Sequence, residues 1–237
     1  MELRDFRQRL RIATVAGEPT AIVAVLAETM PDDGMQIAGQ ALLVALLDPD
    51  SGAGPLTQIC IAALAARGAA GDHVLADQLQ SALRHVASPK PTVPVDLEDL
   101  GDALNGPPGD EPGVLDVATG EFWPPLALGF DDDLGADGPP EPDGSRVLAV
   151  WPEGSQDAYR DMQDFIASVH DVTISDRLSR SIQGRGAFRH FRDALADHED
   201  LVTRWQTFSD DRRIGRAREW LDSAGYNAAP QPRRPWQ

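Results

Sequence analysis

Apolar side chains recur through the first 90 residues at the three- and four-residue spacing of amphipathic helices. Leu3, Phe6, Leu10 and Val15, with arginines between them, predict a first helix of about a dozen residues. A second is expected over 21–30, opened by Pro19 near its first turn and closed before Pro31. Segments 35–47 and 56–67 are apolar on every side, as buried helices are, and DPDSGAGP between them is turn chemistry. Asp72 is placed to cap a fifth helix through Val86, with Val74, Leu75, Leu79 and Leu83 facing inward. Five short helices at this spacing predict a bundle.

The pattern then changes. Residues 88–112 are rich in Pro and acids around one short helical turn, DLEDLGDAL, and read as a linker. Period-two segments follow at 113–117 and 120–123, with a turn at Ala118 and Thr119, and RVLAVW at 146–151 is the strongest strand. The acidic stretch near 129–145 has the composition of a solvated loop. Helices are expected again over 155–169, 174–182, 186–196, 201–208 and 210–224, and 226–237 as a flexible tail. The predicted fold class is α+β. A helical bundle at 1–87 and the linker precede a domain at 113–225 with a small antiparallel sheet and about five helices.

Composition narrows the function classes. The chain has 237 residues, 42% hydrophobic and 25% charged, which is ordinary for a globular protein. No apolar run reaches the ~18–20 residues of a membrane span, and the arginine-bearing start lacks the apolar core of a secretory signal, so a cytoplasmic protein is expected. The net charge of -17 is unevenly placed: residues 91–145 hold 14 acidic side chains and no basic one, whereas 146–237 hold 14 of each sign. Cys60 is the single cysteine, so an intrachain disulfide and cysteine-rich metal sites are excluded.

The runs GVLDVATGEFW, RVLAVWPEG, AYRDMQDFI, RLSRSIQGRGAFRHFRDAL and WQTF…AREWL occur in that order. Together they resemble the bacterial uncharacterised protein family zero-one-five-eight over about residues 113–225, most specifically at GRGAFRHFRD. ALAARGAAGDHVLADQLQSAL resembles the helical N-terminal extension of actinobacterial relatives. The resemblance implies an α+β domain with a small sheet and several helices, and it carries over no catalytic residue.

The same GRGAFRHFRDAL stretch holds the candidate chemistry. On a helix Phe188, Phe191 and Leu195 fall within an arc of ~60°, expected to be buried, and Arg185, Arg189 and Arg192 fall within a second arc beside it. A row of guanidinium forks matches phosphate or carboxylate, and Arg177 and Arg180 on the preceding helix widen the patch. The competing interpretation is a solvated or ion-paired helix face.

Other chemistry lacks its signature. The five histidines show no HxH or HExxH spacing, and DDDLGADGPPEPDG does not reach an EF-hand's terminal Glu. There is no GxSxG elbow, P-loop or GxGxxG, and Cys60 lies in the apolar run QICIAALA of a buried, inert thiol. Asp161 and Asp164 are expected to face water. No cofactor and no metal are therefore expected.

The preferred expectation is a non-catalytic interaction or regulatory protein binding an anionic or protein partner through Arg185, Arg189 and Arg192. An enzyme acting on a phosphate-bearing substrate, with the arginines as clamp and Asp161 or Asp164 as base, is the first alternative. The second is the acidic segment acting as a decoy or docking arm for a basic partner. RNA is disfavoured by the net charge, no membrane partner is expected, and the apolar N-terminal helices leave room for a homodimer.

Overall fold

The computed structural model describes residues 3–125 and 146–230. Five helices open the chain: α1 (Leu3–Ala16), α2 (Pro19–Glu28), α3 (Met35–Ala45), α4 (Gly54–Arg67) and α5 (Asp72–Leu83). Their inward positions, among them Phe6, Leu10, Ile22, Leu42, Cys60, Leu64 and Leu75, form one apolar core. The thiol of Cys60 is fully enclosed there, and burial pushes it up to about 12. Asp72 is not the cap of α5. Gly71 holds that position, and Asp72 sits one residue inside, buried, with its Oδ2 accepting from the amide of Ala69.

Two expectations for the middle and end of the chain are corrected. Residues 88–112 carry a strand, β1 (Thr92–Val93), and a helix, α6 (Leu97–Leu104), capped by the Asp96 carboxylate. Val93, Val95, Leu97, Leu100 and Leu104 all enter a second core, so this stretch is packed interior rather than connector. The tail expected from residue 226 begins instead with β5 (Asn227–Ala228), which pairs in parallel with β1. Proline-rich composition argued for a linker, and apolar burial between the prolines overrides it.

The three-stranded antiparallel sheet has β2 (Gly113–Asp116) at its centre, flanked by β3 (Phe122–Trp123) and β4 (Val147–Val150). Leu115 lies opposite Phe122 on one side and Leu148 on the other. Arg146 closes the end of this sheet with a bidentate hold on buried Asp116. Helices α7 (Gln156–Ala167), α8 (Val172–Ser181) and α9 (Ala187–Leu195) form a third core, in which Phe165 and Phe191 pack edge-on against Trp205.

Residues 199–223 form one helix, α10 (Glu199–Ser223), where the sequence predicted a break near Ser209. Ser-Asp-Asp is cap-like in isolation, yet each of these acids finds a helix-compatible partner. Asp210 pairs with Arg7 and Arg213, and Asp211 accepts from the amide of Gln36 and from Arg67. Two of the cores include this helix: Phe208 faces the third, and Ile214, Ala217 and Leu221 face the second. Its remaining side meets the N-terminal bundle through polar groups. Arg218, only 1% exposed, donates to the side-chain oxygens of Gln36, Gln78 and Gln40 at 2.9, 2.7 and 2.7 Å. Beside it Arg67 bridges Asp72 and Asp211. Two cations thus meet two carboxylates in an enclosed seam. Gly71 and Gly215 let the backbones close on it: a Cβ on Gly71, at φ +73°, would stand 2.1 Å from the carbonyl oxygen of Gly215.

Candidate functional site

Helix α8 begins under an Asp171 cap, its carboxylate accepting from the amides of Thr173 and Ile174. It ends at Ser181, and a short turn leads to α9. Gly184 and Gly186 flank Arg185 in that turn, both at φ +82°. At Gly184 nothing lies within 4 Å of a Cβ, so its glycine serves the left-handed backbone alone. The turn therefore projects Arg185 outward at the start of α9, an end that no side chain caps. Ala187, Phe191, Ala194 and Leu195 bury the inner face of the helix.

The structure brings the five candidate arginines onto α8, the turn and α9, all exposed. Arg177 pairs with Asp197 at 2.7 Å, and Arg189 approaches Asp193 at 3.8 Å in an exposed i,i+4 contact. Among the described residues no ion pair engages Arg180, Arg185 or Arg192. Exposed pairs of this kind are worth little and exchange readily with an incoming anion.

Phe188 departs from expectation. Its ring is 39% exposed, whereas Phe191 and Leu195 are each 1% exposed. The buried stripe of this short helix runs through Ala187 and Phe191, which leaves Phe188 one position off it. It borders a recess of about 330 Å³ lined by Met162, Phe191, Arg192 and Trp205. An apolar ring next to unpaired guanidiniums is the composition of a contact surface, since arginine and aromatic side chains are those that dominate interfaces.

The carboxylates offered for an enzyme separate. Asp164 is exposed, but Asp161 is buried and held by Arg216, whose two terminal nitrogens reach its oxygens at 3.1 and 2.9 Å. Burial raises the Asp161 carboxyl above its ordinary value, against the pull of Arg216. The sequence put Asp161 in water because one helix face was already apolar, and missed that α10 covers a second face. Among the described residues no group of three His, Cys, Asp or Glu side chains is placed to hold a metal. The acidic stretch 129–145, offered as a decoy or docking arm, lies outside the described residues.

Sequence reasoning also missed the enclosed polar seam. Gln36 and Gln40, four apart in the otherwise apolar MQIAGQALLVA, were the available signal, since a polar stripe on a buried helix demands partners.

Residues 141–232 match the model of the Uncharacterised protein family (UPF0158). A UPF0158 protein of Pseudomonas aeruginosa is 28% identical over 131 residues, which is 54% of this chain and 81% of the relative. No solved structure gives a significant match. The matched segment takes in β4, α7–α10 and β5, and with them all five candidate arginines.

Proposed function

From a chain whose C-terminal part is a UPF0158 domain, we propose a non-catalytic interaction protein that acts in the cytoplasm and engages an anionic partner through the arginine face of α9. The observation that carries this is the set of Arg180, Arg185 and Arg192, exposed and without an ion pair among the described residues, beside the exposed ring of Phe188. Guanidiniums supply bidentate hydrogen bonds to carboxylate or phosphate, and Phe188 supplies apolar area next to them. The five arginines and the Phe188 side chain are exposed rather than enclosed, which suits a macromolecular partner better than a small substrate needing enclosure. The tie between Asp161 and Arg216 weighs in the same direction, because a base already held in a bidentate pair is poorly placed to accept a substrate proton.

The face carries positive charge on a chain of net charge -17. Attraction is therefore short-ranged and favours a partner that docks locally over a long polyanion. Wild-type protein and Arg185→Ala/Arg189→Ala/Arg192→Ala are compared as baits in bacterial lysate, with and without nuclease. The expected result is a partner retained by wild type, released as salt is raised and lost from the triple variant. Nuclease sensitivity would identify the anion as nucleic acid. Identical material on both baits, or none on either, would overturn the proposal.

A further inference from the structure

Three helices meet around the recess of about 330 Å³ beside the arginine face. Met162 comes from α7, Phe188, Phe191 and Arg192 from α9, and Trp205 from α10. Met162 and Phe191, 0% and 1% exposed, make the floor, while Phe188, half-buried Trp205 and exposed Arg192 make the rim. Four of these five side chains are apolar. The fifth is a guanidinium with no ion pair among the described residues.

The aromatic cluster beneath closes without Phe188. Phe165, Phe191, Trp205 and Phe208 pack ring against ring at centroid separations of 4.9–6.3 Å, and Phe188 enters none of these pairs. The exposed part of its ring is stabilised only when something covers it. A nucleobase is a poor cover. It brings ring nitrogens and exocyclic groups into a recess where Arg192 is the one polar side chain, and each group left unpaired costs free energy. A bulky apolar side chain makes no such demand, and the unbranched thioether of Met162 adapts to its shape.

Given the contact surface proposed for α9, on which this inference rests, we infer that its partner is an acidic peptide segment presenting one bulky apolar side chain. That side chain seats between Phe188 and Trp205. Arg189 and Arg192 stand ~4.5 Å apart along the axis of α9. An extended peptide rises ~3.3 Å per residue, so carboxylates one and two positions from the anchor come beside these guanidiniums. The contact of Arg189 with Asp193, exposed and 3.8 Å long, is weak enough to give way. Charge brings the segment to the face, and the recess selects among acidic segments by their apolar residue.

The test titrates the full chain, carrying 13C-methyl methionine, with acidic peptides of sequence Asp-Glu-Asp-Xaa-Asp-Glu-Asp, Xaa being Trp, Leu or Ser, and with oligouridylate. Met162 lines the recess, whereas Met30 and Met35 belong to the N-terminal core and serve as internal controls. The Trp and Leu peptides should bind about tenfold tighter than the Ser peptide and move the Met162 methyl signal. Phe188→Ala should erase that preference, and Arg185→Ala/Arg189→Ala/Arg192→Ala should weaken all three peptides together. Equal binding of the three peptides, lost in the triple variant, would overturn the anchor and leave the arginine face standing. A preference for Trp or Leu with the Met162 signal unmoved would overturn the recess as its seat. Oligouridylate binding tighter than every peptide would overturn the peptide partner in favour of nucleic acid. Binding of no probe, or binding that survives the triple variant, would overturn the arginine face as well.

Discussion

Arginine plays opposite parts in two regions of this molecule. In the seam between α10 and the N-terminal bundle, Arg218 and Arg67 are enclosed, and all six of their side-chain nitrogens meet an acceptor at 2.6–2.9 Å. Burial lowers Arg218 to about 10 without discharging it at neutral pH, and Asp211 supports its charge from nearby. On α9 the same residue type is exposed, and Arg185 and Arg192 meet no carboxylate among the described residues. Enclosed guanidiniums must be satisfied at once or the fold fails. Exposed ones are satisfied by water and remain available to a partner. The contrast separates residues that hold the molecule together from residues that can be spent on recognition.

The largest effect is expected at the centre of the seam. Arg218→Met removes the donor shared by Gln36, Gln40 and Gln78 and should destabilise by about 3–5 kcal/mol, read as a lowered denaturant midpoint at constant slope. An unshifted midpoint would mean that apolar burial alone fixes α10.

A glycine pair sharpens the contrast at the backbone. Gly71→Ala meets both a left-handed φ and the carbonyl of Gly215, and should cost about 3 kcal/mol or more. Gly184→Ala, at a similar φ in open space, should cost only about 1–2 kcal/mol. Equal losses would remove the distinction between a packed seam and an open turn.

The pH dependence of the seam has a definite sign. Burial pushes the Asp211 carboxyl up to about 6, against Arg67 and the Gln36 amide, while its ordinary value is 3.8. The folded protein therefore holds this proton more tightly than the unfolded chain. Asp211's contribution to stability is fully present below pH 3.8 and declines as pH rises through 6. The stability of wild type relative to Asp211→Asn should shrink across that window and level off above it. A relative stability that grows with pH would show that Arg67 dominates burial.

The smallest effect on stability belongs to the arginine face. Arg185→Ala/Arg189→Ala/Arg192→Ala should leave the denaturant midpoint where it was, because these side chains bury little and share one weak exposed pair. A clear loss of stability would move these arginines into the same class as the seam.

Local pattern and tertiary burial divided what could be read from the chain. Periodicity located α1, α2, α5, β2, β4 and α7 to α9, because one face of each is apolar, and continuous apolar runs located α3 and α4. It failed for α10, where three faces are covered by three different partners and polar residues such as Asp211 and Arg218 are interior. It failed for residues 88–112 and 226–230, where a few valines, leucines and an alanine between prolines and acids complete a core assembled from distant segments. The candidate arginines were legible as a row because i,i+3 and i,i+4 spacing is local. The exposure of Phe188 was not, since only the packing of α9 on Trp205 and Phe165 decides which of two neighbouring aromatics turns inward.

The availability of the α9 face is tested most directly by a photoreactive amino acid placed at position 188 in the cell, with position 59, an exposed isoleucine on α4, as control. A discrete adduct is predicted at 188, absent at 59 and abolished when Arg185, Arg189 and Arg192 are alanine. No adduct at 188, or the same adducts at both positions regardless of the arginines, would contradict the account.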